Sequence, residues 1–334
     1  MTAGIHPLAA EQEVKIIRAE AVALRVRQLI DSGFVPDVVY VHPGWGEARF
    51  LREVLPTAKI VVYCEYYYNA TDQDVDFDAE LGQMDFAGLC RLRQKNTDNL
   101  HAFQIGDAFV APTLWQRDTY PKIFRDNIQV IHEGVDFSDL AVTAPLELEL
   151  PSGSKIISYV SRNLEPMRGF HVFMRALPAV LAANPDAQVV IVGGDASGYG
   201  KKEGSGLGWR KKMLAELGDS LDQSRVHFLG KLPYDRYKAL LAVTHVHVYL
   251  TYPFVLSWSL LEAAAVCRQL LVSDTAPLAE VDVPNMQRVG FFDVPGLSQG
   301  MIEALEREIP APKTVPDGLS TFTLESCLQQ HLAL

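Results

Sequence analysis

Short apolar runs alternate along this chain with longer segments in which apolar residues recur at helical spacing. Residues 156–160 form one run typical of a buried strand, and Phe170, Phe173 and Leu177 recur at helical spacing directly after it. The same pattern predicts strands at 36–41, 59–64, 107–112, 128–132, 156–160, 188–192, 226–229, 245–250 and 269–273. It predicts helices at 10–33, 48–55, 114–120, 170–183, 209–217, 234–242, 258–266 and 297–308, and an Arg- and Asn-rich helix ending near Gln104. This alternation indicates an α/β fold with two doubly wound parallel sheets.

One segment, 138–154, interrupts the alternation with prolines and a Ser-Gly-Ser sequence, and it is the predicted linker. It separates an N-terminal domain at 1–140 from a C-terminal domain at 150–310. Residues 311–334 form a C-terminal tail, and packing back on the N-terminal domain is one interpretation of it.

Three segments carry more specific expectations. The first helix is predicted to be amphipathic, with Val14, Ile17, Ala21 and Leu24 on one side. Val22, Val26 and Leu29 widen the apolar surface next to it. Residues 72–86 are acidic and lack a sustained period, so they are predicted to form a mobile or partly ordered loop that covers a cleft. The glycines and charges of 196–208 also favour a mobile loop.

Composition limits the class of protein. The 334 residues are 48% hydrophobic and 21% charged, which is typical of a folded globular chain. A net charge of −11 argues against a broad basic surface for nucleic acid, but it is compatible with a local cationic pocket.

The apolar runs are too short to span a bilayer and no secretion signal is visible, so we expect a cytoplasmic protein with at most peripheral membrane contact. Four scattered cysteines without a CxxC sequence favour reduced thiols over a zinc site.

The turn after the strand at 156–160 carries candidate chemistry. Arg162 and Arg168 lie in this turn, and a helix begins at Phe170. Unpaired N–H groups at the start of a helix and guanidinium groups both favour anions. The turn is therefore a candidate phosphate site. The alternative, given equal weight, is an ordinary βα turn whose arginines are solvated.

A compact loop follows the strand at 36–41. It contains Gly44, Trp45 and Gly46 at the carboxyl end of the strand. Ligands bind at this edge of open α/β sheets, so these three residues are candidates for the acceptor side of a site.

Three tyrosines follow Glu65 at the end of the strand at 59–64. The rings of Tyr66, Tyr67 and Tyr68 could stack on a sugar or on a lipid acceptor. The alternative is packing beneath a neighbouring loop, and for Tyr67 this alternative is slightly favoured.

Several stretches resemble one enzyme family. In the C-terminal half they are SYVSRNLEPMRGFHVFMRAL, VVIVGGD, VHFLGKLPYDRYKALLAVTHVHVYLTYPFVLSWSLLEA and LVSDTAPLAEV. In the N-terminal half DVVYVHPGWGEARFLREVLP, AFVAPTLWQRDTYP and VIHEGVD match more loosely. From about residue 35 to residue 309 the chain resembles the retaining glycosyltransferases of family 4. The resemblance implies the GT-B architecture, with two Rossmann-like domains facing across a cleft and a shortened N-terminal domain.

The resemblance implies that a sugar, typically a hexose, moves from a nucleotide diphosphate sugar to an acceptor with retention of configuration. No bound metal or other cofactor is implied, and family acceptors include glycans, lipid-linked molecules and small molecules. Negative charge grows on the diphosphate as it leaves, so fixed cations and N–H groups must stabilise it. Arg162 and Arg168 occupy the positions that have this catalytic role in the family, and Arg168 replaces the more usual lysine.

The resemblance also assigns a donor site at the helix that begins near Ser257. Leu256, Ser257 and Trp258 would offer backbone N–H groups to the diphosphate. Glu262 matches the glutamate that holds the ribose hydroxyls in the family. Its apolar neighbours make an unpaired carboxylate costly, which favours a bound partner over a solvated helix residue.

The remaining donor residues belong to the base pocket. Gly230, Lys231 and Leu232 match the loop that holds the nucleobase through backbone atoms in the family. Tyr249 lines the same pocket or is ordinary core.

The chain departs from the family pattern at several places. Phe254 stands where many members have a glutamate that contacts the transferred sugar, so the identity of the sugar stays open. Glu65 stands where a histidine is common near the reacting centre, and either it takes an acidic residue's part in catalysis or it has no role. Val266, Cys267 and Arg268 replace a small residue and a glycine.

The chain also opens on a helix and lacks the usual first strand and glycine-rich loop. The small first sheet would keep an exposed edge, which an oligomer or a partner chain would cover unless the domain is simply reduced. A non-catalytic GT-B relative that binds a nucleotide or a partner glycosyltransferase is therefore the alternative function. An epimerase or a phosphorylase-like enzyme has less support.

Overall fold

The computed structural model describes residues 2–196 and 208–334, and the chain divides into two compact units. The first unit comprises Met1–Glu133 and Gln329–Leu334, and the second comprises Gly134–Leu328. The predicted mobile loop at 196–208 lies outside the described residues except at its two ends. Each unit contains a parallel sheet accompanied by helices, which confirms the predicted α/β class.

The first unit is built on a four-stranded sheet. Its elements are α1 (Pro7–Asp31), β1 (Val38–Val41), α2 (Leu51–Val54), β2 (Lys59–Tyr63), α3 (Phe86–Lys95), α4 (Thr97–Ile105), β3 (Ala108–Ala111), α5 (Leu114–Asp118), α6 (Lys122–Arg125) and β4 (Ile128–Val130). The strands lie in the order β1-β2-β3-β4, so the sheet follows the chain without a reversal among the described strands. β1 is an edge strand, and its Val38 and Tyr40 are 53% and 46% exposed. The exposed edge expected of a small first sheet is therefore present.

The second unit is built on a six-stranded sheet. Its elements are β5 (Lys155–Asn163), α7 (Phe170–Ala183), β6 (Ala187–Gly194), α8 (Trp209–Leu217), β7 (Val226–Gly230), α9 (Tyr234–Val243), β8 (Val246–Tyr249), α10 (Trp258–Val266), β9 (Leu270–Ser273), β10 (Met286–Val289), α11 (Val294–Glu306) and α12 (Leu324–Leu332), the last of which ends in the first unit. The strand order is β10-β9-β8-β5-β6-β7. The order reverses beside β5, and ligands bind at such a switch point in open α/β sheets.

Most predicted elements are present close to their predicted bounds, with four differences. The Arg- and Asn-rich helix is two helices, α3 and α4, which meet at Asn96 because its side chain bonds both backbone polar groups of Tyr68. β10 was not predicted because Gln287 and Arg288 interrupt its short apolar run. The short helix α6 and the terminal helix α12 were not predicted either. None of the described helices is both long and apolar enough to cross a membrane.

α1 packs partly through polar residues, so the prediction of its packed face is only partly confirmed, by Val22 and Val26, which pack against the core of the first unit. Its buried residues are Gln12, Lys15 and Ala19, whereas Ile17 is 53% exposed and Leu24 is 56% exposed. The apolar stripe read from the sequence therefore faces water over much of its length.

A buried carboxylate explains this choice of face. Asp98 in α4 is 3% exposed, and its oxygens lie 3.2 Å from Lys15 Nζ and 2.6 Å from Arg49 Nη2. Arg49 Nη2 also donates to Gln12 Oε1 at 2.7 Å. Leaving Asp98 buried without partners would cost more than leaving two aliphatic side chains in water. The charges therefore select the face of α1.

α7 follows the apolar pattern closely. Phe173 and Leu177 are fully buried, and the ring of Phe173 stacks on that of Tyr159 in β5 with the centroids 4.9 Å apart. Apolar burial of this extent is the main source of folding free energy. The predicted core of the second unit is therefore confirmed at this helix.

The junction between the units lies at Glu133–Gly134, and the predicted linker at 138–154 is part of the second unit. Val135 and Leu140 are buried in its core. Leu146, Leu148 and Leu150 pack against a cluster that includes Ile156. The residues predicted as a linker therefore belong to a compact unit, and their alternate leucines are partly buried there.

The C-terminal tail is shared between the units. Leu319 and Phe322 are buried in the second unit, and Thr323 forms a parallel β-bridge with Val135. After Leu328 the chain belongs to the first unit, where His331 Nδ1 lies 2.6 Å from the Tyr40 hydroxyl oxygen. The first unit is thus completed by residues from the end of the sequence.

Candidate active site

The switch point of the second sheet lies between β5 and β8, which are direct neighbours. Arg162 lies in the last residues of β5, and Arg168 lies in the loop that follows the strand. β8 is followed by the loop that leads to α10. The fold therefore places these two loops at the carboxyl ends of adjacent strands, where a ligand would bind.

The two arginines differ in position and in burial. Arg162 is exposed in the last residues of β5. Arg168 ends a 3₁₀ turn, Pro166–Arg168, and is partly buried. Gly169 follows with φ of 70°, and a Cβ atom there would collide with Leu250, so only glycine fits at the entry to α7.

The guanidinium of Arg168 is held from one side. Its Nη1 donates to Thr251 Oγ1 at 2.8 Å and to the Tyr249 hydroxyl oxygen at 3.1 Å. The guanidinium carbon lies 6.0 Å from the centroid of the Phe254 ring. Both Nη1 protons are therefore used, and among the described residues Nε and Nη2 have no hydrogen-bond partner.

Tyr249 belongs to the core, which is one of the two places predicted for it. It is 4% exposed and belongs to the core cluster of the second unit. Its hydroxyl faces Arg168, so among the described residues its polar contact is with the arginine and not with a base-binding loop. Thr251, which sequence reasoning missed, shares this role.

The start of α10 lies where the sequence places it. Ser257 is the residue that precedes the first turn, and its Oγ lies 2.8 Å from Ser259 Oγ. Leu256 is 8% exposed, and the side chain of Trp258 is 53% exposed. A helix of nine residues begins here, so its first N–H groups and its dipole favour an anion.

Glu262 has two partners within the protein. Its Oε1 accepts from the Tyr234 hydroxyl at 2.8 Å, and its Oε2 accepts from the Tyr237 hydroxyl at 2.9 Å. Burial, together with the nearby carboxylate, raises the pKa of Tyr237, so this hydroxyl stays protonated and donates. Two tyrosines therefore pair with the carboxylate within the protein, so its apolar surroundings alone do not call for the bound partner that the sequence argument favoured.

The predicted base-binding loop follows β7. Gly230 has φ of 64° and no atom within 4 Å of a Cβ built on it. Lys231 is exposed, and Leu232 packs against the cluster around Ile156. Gly230 thus permits the left-handed turn, and its open side leaves its backbone accessible.

The loop after β1 in the first unit is held by α1 and by His42. Gly46 has φ of 97°, and a Cβ there would lie 2.6 Å from the carbonyl oxygen of Lys15, so the glycine has a packing role. Gly44 donates its N–H to His42 Nδ1 at 3.1 Å. Trp45 is 61% exposed, and its ring centroid lies 4.9 Å from that of His42.

The tyrosines after β2 are mostly buried. Tyr66 is 5% exposed, and its hydroxyl donates to Asp74 Oδ1 at 2.8 Å. Burial is the main cause that raises its pKa, with the Asp74 charge adding to it. The expectation that Tyr66 presents its ring to an acceptor is therefore wrong. Tyr67 is 8% exposed within the core, which confirms the packing alternative for that residue.

The acidic segment at 72–86 contains local hydrogen bonds, which agrees with the partly ordered alternative of its prediction. Gln73 and Asp78 are each 4% exposed. Asp76 Oδ1 accepts from the Met84 N–H at 2.7 Å, and Asp78 caps a short 3₁₀ turn at Ala79–Leu81. Local hydrogen bonds of acidic side chains to the backbone give this segment its structure, although it lacks apolar periodicity.

Glu65 and His42 form a pair that sequence reasoning missed. Glu65 Oε2 lies 3.0 Å from His42 Nε2, and the glutamate side chain is 41% exposed. The signal that could have found His42 is its place directly after β1, because β1 and β2 are adjacent parallel strands whose ends must meet.

The geometry agrees with comparisons against known proteins. Residues 145–312 match the family model described as glycosyl transferases group 1, which covers half of the chain. The chain belongs to the group 1 glycosyl transferases. Residues 1–140 of this glycosyl transferase also match the model described as glycosyl transferase family 4 group. A comparison with curated proteins returns no match.

Solved structures show that the glycosyl transferase has the GT-B fold. A UDP-forming α,α-trehalose-phosphate synthase from Burkholderia xenovorans is 18% identical, with a TM-score of 0.64 over 95% of this chain and 77% of that one. Sucrose-phosphate synthase from Thermosynechococcus elongatus is 16% identical, with a TM-score of 0.63 over 96% and 78%. TarM from S. aureus is 13% identical, with a TM-score of 0.61 over 93% and 58%. At these identities the likeness concerns the fold, and the family supplies the general activity of sugar transfer from a nucleotide sugar.

Proposed function

We propose that this glycosyl transferase moves a hexose from a nucleotide diphosphate sugar to a hydroxyl of an acceptor, with retention of configuration and without a metal ion. In this reaction the bond between the anomeric carbon and the diphosphate oxygen breaks, and a new bond to the acceptor oxygen forms on the same face of the sugar. The leaving diphosphate gains negative charge as the bond breaks. The site must stabilise that charge more strongly in the transition state than in the bound substrate.

The single observation that carries the proposal is the geometry of Arg168. Tyr249 and Thr251 hold its guanidinium through Nη1 alone. The Nε–Nη2 edge, which has no partner among the described residues, is the planar pair of donors that matches two phosphate oxygens. A guanidinium that is fixed before the ligand arrives loses little conformational entropy on binding.

Other residues support the proposal at the same switch point. Arg162 adds a second cation at the end of β5, and the start of α10 at Leu256, Ser257 and Trp258 adds N–H groups. Glu262 is the proposed ligand of the ribose hydroxyls, with each oxygen still able to accept a further hydrogen bond beside its tyrosine.

The proposed acceptor is a molecule with sugar-like hydroxyls, whether a glycan, a lipid-linked glycan or a small sugar. A related α,α-trehalose-phosphate synthase was solved with glucose-6-phosphate, and TarM was solved with UDP and α-GlcNAc-glycerol. Trp45 and Glu65 are the proposed acceptor-side contacts, since an exposed aromatic ring and a carboxylate suit a sugar's apolar face and hydroxyls. The described cysteines are free thiols, which supports the cytoplasm as the proposed compartment.

Calorimetry with UDP, GDP and their common sugars tests the donor site. We expect one nucleotide series to bind, and Arg168→Ala to weaken it by about tenfold or more, since a hydrogen bond to a charged group contributes about 1.5–3 kcal/mol. Arg168→Lys keeps the charge but loses the fork, so it should restore part of the affinity. The matched control is Arg307→Ala, whose guanidinium pairs with Glu303 on the surface. Absence of binding by every nucleotide would refute the donor site.

A second candidate function follows from the departures at Phe254 and Glu65. A non-catalytic relative would bind the nucleotide or a partner glycosyltransferase and transfer nothing. Binding of a nucleotide sugar without release of nucleotide diphosphate, across a panel of glycans and simple sugars, would favour this candidate.

A further inference from the structure

His42 and Glu65 lie at the carboxyl ends of adjacent strands in the first unit. β1 and β2 are parallel with Val41 opposite Val62, so the residues that follow them leave the sheet side by side. Glu65 is further fixed at its backbone, where its carbonyl oxygen accepts from Gln116 Nε2 at 2.8 Å. The pair is therefore held by the sheet and does not depend on flexible loops.

The tautomer of His42 follows from its contacts. Nδ1 accepts the N–H of Gly44 at 3.1 Å, so Nδ1 carries no proton. A neutral imidazole then carries its proton on Nε2, which lies 3.0 Å from Glu65 Oε2. The ring also contacts the rings of Trp45 and Tyr63, with centroids 4.9 Å and 5.9 Å away. His42 is thus oriented as a donor to the carboxylate.

The carboxylate keeps one oxygen for a ligand. Among the described residues Glu65 Oε1 makes no hydrogen bond, and the side chain is 41% exposed. A carboxylate that accepts from a fixed donor has one preferred orientation, which directs its other oxygen to one place. Such an oxygen suits a hydroxyl group, whose proton it accepts.

We infer that His42 is a positioning residue, which holds Glu65 so that its second oxygen binds a hydroxyl of the sugar substrates. The inference rests on the proposed function for the identity of those substrates. His42 makes no contact with them and acts through Glu65.

The chain contains its own control for this role. His6 has the same local arrangement, since it also precedes a proline and its Nδ1 accepts the Leu8 N–H at 3.2 Å. His6 is exposed and caps α1 without a carboxylate partner among the described residues. Asparagine caps helix starts well, so it preserves the cap at either position and is too short to reach Glu65.

The decisive experiment is a double-mutant cycle with His42→Asn and Glu65→Ala, since alanine leaves His42 with no acceptor at this position. The readout is release of nucleotide diphosphate from the donor that the calorimetric screen returns. We expect His42→Asn to lower kcat/KM about tenfold in the wild-type background and to have no further effect beside Glu65→Ala. His6→Asn should leave kcat/KM unchanged. The inference would be overturned if the fold-losses of kcat/KM in the two single variants multiply in the double variant. It would also be overturned if His42→Asn leaves kcat/KM unchanged.

A second measurement is independent of activity. Nitrogen NMR of ¹⁵N-histidine-labelled protein, with the His42 signals assigned by their loss in His42→Asn, should show an unprotonated Nδ1 and a protonated Nε2. A proton on Nδ1 would overturn the inference even if the enzyme is active. If no donor is turned over, the proposed function fails, and the NMR result alone still decides whether His42 donates to Glu65.

Discussion

The two sheets of this protein differ in how they are built and in what they can bind. In the second unit the strand order reverses beside β5, and α7 buries a nearly continuous apolar face. In the first unit the order follows the chain, and α1 is held by Lys15, Arg49 and Asp98 while much of its apolar stripe is exposed. The difference shows that apolar periodicity determines packing only where no buried charge competes with it.

The largest expected effect tests the apolar side of this comparison. Phe173→Ala removes a fully buried ring that stacks on Tyr159, and it should lower the free energy of unfolding by about 3–5 kcal/mol. Leu24→Ala, on the exposed stripe of α1, should change it by no more than about 0.5 kcal/mol. Urea unfolding curves measure both. A comparable loss for the two variants would show that the α1 stripe is packed.

An effect of similar size tests the charged side. Asp98→Ala leaves Lys15 and Arg49 buried without their carboxylate, and breaking such a pair costs about 3–5 kcal/mol. The matched control is Glu303→Ala, which breaks an exposed pair with Arg307 and should cost at most about 1 kcal/mol. Equal and small losses would mean that the buried charges do not hold α1 in place.

These two cases explain what the sequence could predict of the fold. Nearly every strand and helix of the second unit follows from apolar runs, because its strands are buried and its helices are apolar on one side. The packed face of α1 and the structure of residues 72–86 depend on polar side chains whose partners are distant or irregularly spaced. No periodicity records such contacts.

Part of the candidate site could likewise be predicted from the sequence, and part could not. Arg162 and Arg168 were proposed from their place between a strand and a helix, whereas the roles of Ser257 and Glu262 came from the family resemblance. The tyrosine partners of Glu262 and the role of Thr251 depend on side-chain directions across separate elements. His42 was overlooked because its pairing with Glu65 joins two loops that are 23 residues apart.

A histidine in each unit gives a prediction of intermediate size. Burial lowers the pKa of His247 in β8 to about 4, and burial with the nearby His331 lowers that of His132 to about 4. Both values lie below the pKa of about 6.5 expected in the unfolded chain. The neutral rings therefore stabilise the fold above about pH 6.5, and this stabilisation is lost as the pH falls from about 6.5 to about 4.

The measurement is the difference in unfolding free energy between pH 7 and pH 4.5. Each histidine should contribute about 2 kcal/mol to the loss, and His247→Asn or His132→Asn should remove its own share. The exposed His6 provides the control, because His6→Asn should leave the pH dependence unchanged. A pH dependence that survives both buried substitutions would assign it to carboxylates instead.

The smallest expected effect concerns the prearranged polar groups of the second unit. Tyr237→Phe removes one donor to Glu262, and the affinity for the nucleoside diphosphate should fall by about fivefold, or about 1 kcal/mol. Tyr234→Phe should have a smaller effect, because Tyr234 is 43% exposed and water can replace its hydroxyl. Calorimetry measures both. Tighter binding in either variant would mean that the tyrosine competes with the ribose for the carboxylate.

The shared C-terminal tail has a consequence for the order of folding during synthesis. Domains generally fold in the order in which the ribosome makes them. Here the first unit includes Gln329–Leu334, so it acquires its last contacts, such as that between Tyr40 and His331, only after the whole second unit has been made. Until then the nascent first unit lacks the segment that bonds to Tyr40 in its edge strand β1.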